Sequence, residues 1–170
     1  QQILNEQIFI PLEMNKTGFS VSDANTRLLM NSYEFDPLKN KLTNHILEPQ
    51  RIGKFGHPIN NKNYARGGHG LYSTVEDFMN FVQMLHTGKN KHGKYIISKK
   101  LIDLMSKNHL ESKLFPIEIL NISTKKDENY TNDLDGYGWG FGFRTLMSPE
   151  KNNYIGNKGE FGWSGAASTY

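Results

Sequence analysis

GYGWGFGFRTL, residues 136–146, sets the architecture. Tyr137, Trp139, Phe141 and Phe143 alternate with glycines, a period of two and so the signature of a strand. The aromatic side chains fall on one face. The glycine face has no side chains, so a second element can lie directly against the backbone there. Lys151 to Tyr170 reads as a turn followed by another strand, with Phe161–Tyr170 pairing antiparallel to Tyr137–Leu146 through a connection near Ser148-Pro149.

Helices are expected upstream. In ARGGHGLYSTVEDFMNFVQMLHTGKN, residues 65–90, glycines surround His69, and Ser73 and Glu76 have the S-x-x-E spacing of a capping box, with Thr74 as a neighbouring cap. Val75, Phe78, Val82 and Leu85 then recur at intervals of three and four, an amphipathic helix that ends at Thr87-Gly88. Ser98 is placed to cap a second helix with apolar positions Leu101, Ile102, Leu104 and Met105. Ile3, Leu4 and Ile8 suggest closing helical turns stopped by Pro11. Between Asn15 and Asn63 the periodicity is weak, and a strand is expected near Arg27–Phe35. Leu114–Ile122 reads as a strand or a lid-like insertion. Helices packed on an antiparallel sheet make the expected class α+β, over one partial domain spanning 1–170.

Composition narrows the functional classes. The 170 residues carry a formal charge of +3 without a dense basic run, so no nucleic-acid partner is expected. The absence of cysteine removes disulfides and thiolate metal sites. No apolar run approaches the roughly 18 residues of a membrane span. The opening QQILNEQIF has no initiator Met and starts within helical periodicity, as expected of a fragment.

Chemistry-bearing residues are sparse. The six histidines lie at 45, 57, 69, 86, 92 and 109, with no metal-binding helical spacing, so neither metal nor cofactor is expected. Lys89 to Lys94 reads as a solvated turn. Ser123-Thr124-Lys125-Lys126 matches S-x-x-K and Tyr130-Thr131-Asn132 matches Y-x-N, but STKKDENYTND has no apolar stripe to bury a helix. A lysine acting as a neutral base needs a desolvated pocket. GEFGWSGA resembles a G-x-S-x-G nucleophile elbow but carries Ala166 where the second glycine belongs, and Gly165 to Tyr170 lacks helical periodicity. Ser164 is therefore not expected to be a nucleophile.

Four stretches together resemble the β-lactamase-related serine hydrolases, the family of class C β-lactamases, DD-peptidases and esterases. IPLEMNKTGF is similar to its PLGM-x-x-T-x-F turn. RGGHGLYSTVEDFMNFVQMLHTG resembles its G-G-G-L-x-S-T-x-x-D helix, LDGYGWGFGF its G-Y-G-x-G-F strand, and GEFGWSGAASTY the strand of its third active-site motif. Their order covers essentially the whole chain. The resemblance implies that Trp163, Ser164 and Gly165 bind substrate and that the Ala166 N–H is one of two oxyanion-hole donors. It also implies that the S-x-x-K and Y-x-N motifs lie upstream of Gln1, so the fragment alone lacks the nucleophile. The implied parent is a serine hydrolase forming an acyl-enzyme with a small ester or amide, exported or periplasmic by analogy. The alternative is a non-catalytic binding or scaffolding domain. Two departures stand out: Glu13 and His69 occupy positions where the family commonly has glycine. Trp163, where penicillin-binding members carry lysine, removes a cation that would hold a β-lactam carboxylate and favours the esterase-like branch.

Overall fold

The computed structural model describes residues 1–30, 33–44, 70–117, 134–151 and 155–163. They fall into two compact units, Gln1–Ile96 and Ile97–Tyr170.

In the first unit the chain begins with a short helix, α1 (Gln2–Leu4), that widens into π-helical turns over Asn5–Phe9. It ends ahead of Pro11, as expected, because proline has no N–H to continue the ladder. Phe9, at its end, and Leu12, Met14 and Phe19 beyond it are buried. The strand expected near Arg27–Phe35 begins only at Tyr33. Arg27 and Leu28 instead belong to a 3-10 turn, Asp23–Leu28, in which the Ser22 carbonyl accepts from the Asn25 N–H and the Thr26 hydroxyl. Strands β1 (Tyr33–Asp36) and β2 (Lys41–Asn44) form an antiparallel hairpin. Its turn follows from DPLKN: the Asp36 carboxylate accepts from the Leu38 and Lys39 N–H groups, and Asn40 adopts φ 48°.

Helix α2 (Val75–Thr87) is the expected amphipathic helix, with two corrections. The cap is Thr74, whose hydroxyl accepts from the Asp77 N–H at 3.3 Å, while the Ser73 hydroxyl is bonded to that of Thr17 at 2.7 Å. The buried positions are Asp77 and Met84, whereas Val75 and Val82 are exposed. The helix is rotated from its apolar stripe because polar side chains dock it. Asp77 accepts from the Lys16 N–H (2.7 Å) and the Thr17 hydroxyl (2.8 Å), and Asn80 donates to the Leu12 carbonyl (3.1 Å). The irregular 11–17 segment has backbone groups that need partners, and these side chains supply them. Paired hydrogen bonds between Gly18 and Tyr72 close the same junction. Gly88, at φ 76°, terminates α2 as read from sequence. Lys89 to Lys94 forms the expected turn, bridged between Lys89 and Tyr95.

The second unit starts with α3 (Lys99–Ser106), capped by Ser98 as expected. Of its apolar positions Ile102 is buried, while Leu101 and Leu104 are exposed. Tyr137–Leu146 is not one strand but a hairpin of β3 (Tyr137–Trp139) and β4 (Arg144–Leu146). Gly142, at φ 87°, allows the reversal, and the Gly140 N–H closes it on the Phe143 carbonyl at 2.7 Å. Phe141 therefore leaves the alternation and stacks on His109 with ring centroids 4.3 Å apart. β5 (Phe161–Gly162) pairs antiparallel with β4, matching the expected connection past Ser148-Pro149, and the sheet order is β3-β4-β5.

The close approach expected on the glycine face comes from the end of α3 and the residues after it. A Cβ on Gly138 would lie 2.6 Å from the Asn108 side chain, and one on Gly140 would lie 2.0 Å from the Met105 carbonyl oxygen. The Met105 carbonyl accepts from the Phe141 N–H (2.8 Å), and Asn108 Oδ1 accepts from the Trp139 N–H (3.0 Å). Asn108 is held in turn by the Leu110 backbone. Thr145, buried on the same face, donates its hydroxyl to the Ser106 carbonyl. Ile102, Leu134, Tyr137 and Leu146 are the buried apolar residues of this unit.

Candidate active-site edge

The strand pairing brings residues from three separate stretches to one place. Trp139 faces Arg144 across β3 and β4, and Arg144 faces Gly162 across β4 and β5. Residues opposed in this way share a sheet face. Trp163 follows directly on β5, 45% exposed, with its ring edge-on to Trp139 at 4.9 Å between centroids. The half-buried Arg144 guanidinium lies 4.7 Å from the Tyr137 ring centroid and 5.9 Å from that of Trp163. Phe143 and Phe161, 5.2 Å apart and edge to face, brace β4 against β5. Among the described residues a Cβ placed on Gly162 would meet nothing within 4 Å, so they leave the space above this position open.

Among the described residues the resulting surface is aromatic and carries one cation, Arg144. Flat rings of this kind offer apolar contact to a substrate chain and hold a guanidinium by cation–π attraction. No carboxylate pairs with Arg144 among the described residues. Nor does any group of three or more His, Asp or Glu among them stand where it could hold a metal ion.

Of the residues singled out by sequence, Trp163 is at this edge. Ser164, Gly165 and Ala166 lie outside the described residues, as do His69, Ser123, Lys126 and Tyr130. Glu13, in the other unit, has φ 56°, which accounts for the glycine common at that position in the family. Its carboxylate meets Lys91 Nζ and His92 Nε2, each at 2.5 Å. The hydrogen bond from Lys91, and next that from His92, holds the Glu13 carboxyl below its ordinary value.

One contributor was not singled out beforehand. Arg144 is adjacent to the aromatic run, but a strand running through 146 would have placed it far along from Trp139, and the hairpin reverses that.

Across residues 1–170 the chain matches the model of the Beta-lactamase family. The chain belongs to that family. Protein Rv1367c of Mycobacterium tuberculosis strain H37Rv is 25% identical over 174 residues, a span covering 99% of this chain and 39% of that protein. A Mycobacterium tuberculosis protein from strain CDC 1551 matches equally, so this Beta-lactamase-family chain spans about two fifths of the length of these curated relatives. Among solved structures, EstCE1, described as a hydrolase with promiscuous acyltransferase activity, aligns with a TM-score of 0.61 at 21% identity. That alignment covers 93% of this chain and 38% of EstCE1. Unliganded simvastatin synthase (LovD) from Aspergillus terreus aligns with a TM-score of 0.63 at 16% identity, covering 94% of this chain and 38% of the synthase. These likenesses establish the fold, a partial α+β member of the Beta-lactamase family. No helix among the described residues is long and apolar enough to cross a membrane.

Proposed function

We propose that the protein is a serine hydrolase that forms an acyl-enzyme with a small ester or amide, and that this chain supplies one wall of its site. The observation that carries the proposal is the position of β5. Among the described residues it is the outer strand of the sheet, and it leads directly into Trp163-Ser164-Gly165. An outer strand has unpaired main-chain N–H and C=O groups along its free side, the groups needed to align an extended acyl substrate.

In this proposal the Ala166 N–H donates to the carbonyl oxygen as negative charge develops on it, an interaction worth about 2.7–4 kcal/mol in a pre-arranged site. A serine outside residues 1–170 attacks the carbonyl carbon and its proton passes to a neighbouring base. The alcohol or amine then leaves, and water releases the acyl group. Trp163 covers the acyl chain, Gly165 leaves room along the strand, and Ser164 hydrogen-bonds the substrate. The likeness to EstCE1 and the aromatic edge both support ester-directed chemistry.

Fluorophosphonate labelling of the full-length protein tests this. Labelling is expected on a serine N-terminal to Gln1. Modification of Ser164 would refute the assignment, and a protein with no labelled serine would instead be a binding domain.

A further inference from the structure

Arg144 has chemistry that packing alone does not use. Its guanidinium is half-buried on the sheet face beside Trp163, and its described contacts are the faces of Tyr137 and Trp163. A cation–π contact is electrostatic and takes up no conventional hydrogen-bond acceptor, so the guanidinium N–H donors stay available to another group. No carboxylate among the described residues takes them, and the open space over Gly162, the cross-strand neighbour of Arg144, gives access to the same row. A half-buried, planar, permanently charged donor in an aromatic frame suits a carboxylate, which can accept two parallel hydrogen bonds.

We propose that Arg144 recognises a carboxylate on the ligand, so that the site selects acyl compounds bearing an anionic group next to an apolar segment that lies on Trp163. As substrate selection this rests on the hydrolase reading above, whereas anion binding at Arg144 is testable without any turnover. The positive charge that Trp163 lacks at its own position would then come from the adjacent strand. Trp139 and Trp163 hold the apolar part while Arg144 fixes the charged end.

Trp139 and Trp163 both flank Arg144, so the part of the full-length protein's tryptophan fluorescence that Trp139→Phe and Trp163→Phe remove reports directly on this place. The protein is titrated with 3-phenylpropionate and, separately, with 3-phenylpropanol, which has the same apolar part and no charge. Saturable binding of the carboxylate is expected, roughly tenfold to a hundredfold tighter than the alcohol, the range of a charge-assisted hydrogen-bonded pair. Arg144→Lys should keep part of that preference and Arg144→Met should abolish it. Equal binding of the two compounds, no saturable response to the carboxylate, or an unchanged preference in Arg144→Met would overturn the proposal. Should Arg144→Met fail to fold, the contrast between the two compounds on the unaltered protein and on Arg144→Lys still decides. Parallel fluorophosphonate labelling separates the two claims. A labelled serine without carboxylate preference removes the role of Arg144 alone, and carboxylate preference without labelling removes the hydrolase reading alone.

Discussion

Gly140→Ala should be among the most damaging single-methyl additions in the described chain. Gly140 is buried, and its added Cβ would sit 2.0 Å from the Met105 carbonyl oxygen, where ordinary contact begins at 3.4 Å. One side must retreat by more than about 1 Å, and the obstacle is backbone rather than a flexible side chain. The same carbonyl accepts the Phe141 N–H at 2.8 Å, so its displacement also weakens that hydrogen bond. Overpacking of this kind costs about 1–3 kcal/mol and the lost hydrogen bond about 1 kcal/mol more. Stiffening of the unfolded chain by alanine returns about 0.4–1 kcal/mol. A net loss of about 1–3.5 kcal/mol follows, which for a chain of this size lowers Tm by roughly 2–14 °C. Gly162→Ala is the internal control, since its Cβ meets nothing within 4 Å among the described residues and its φ lies outside the left-handed region. It should be neutral or slightly stabilising. Urea unfolding followed by circular dichroism measures both. If Gly140→Ala is as stable as Gly162→Ala within about 0.5 kcal/mol, the close packing of the α3 end on the glycine face is wrong.

Asp77→Ala removes the acceptor of the Lys16 N–H and one of the two partners of the Thr17 hydroxyl, which keeps Ser73. A loss of about 2–4 kcal/mol is expected, with Asp77→Asn milder because one oxygen acceptor remains; denaturant midpoints check the order. Glu13 gives a pH dependence. Its folded-state pKa is depressed below 4.5 by Lys91 and His92, so the stability it contributes is complete above the unfolded value. That contribution is lost as pH falls through the lower, folded value. Glu13→Gln should therefore flatten the acid side of a Tm-against-pH profile below about pH 4.5 and leave the slope above it unchanged; an unaltered acid limb would show that the contact carries no linkage.

Much of the fold was legible because it is written in local chemistry. Ser98 and Gly88 mark helix ends through donor satisfaction and a left-handed backbone, which depend on one or two residues each. The alternation in GYGWGFGF likewise announced strand and a bare face, since both follow from the period-two geometry of extended chain. The helix face was less legible. The apolar stripe pointed to Val75 and Val82, yet α2 is docked by Asp77 and Asn80, whose partners lie sixty or more residues away in sequence. Hydrophobic periodicity has no term for a distant backbone in need of hydrogen bonds.

By itself, then, the sequence determined the α+β class, the helix limits and the family, because these depend on neighbours along the chain. The tertiary structure decided where Tyr137–Leu146 folds back on itself, and with it that Arg144 stands across from Gly162 and beside Trp163. Reversal at Gly140–Phe143 is one choice of backbone angles among several open to glycine. Only packing against Met105 and Asn108 selects it, and that selection brings a cation to the aromatic edge.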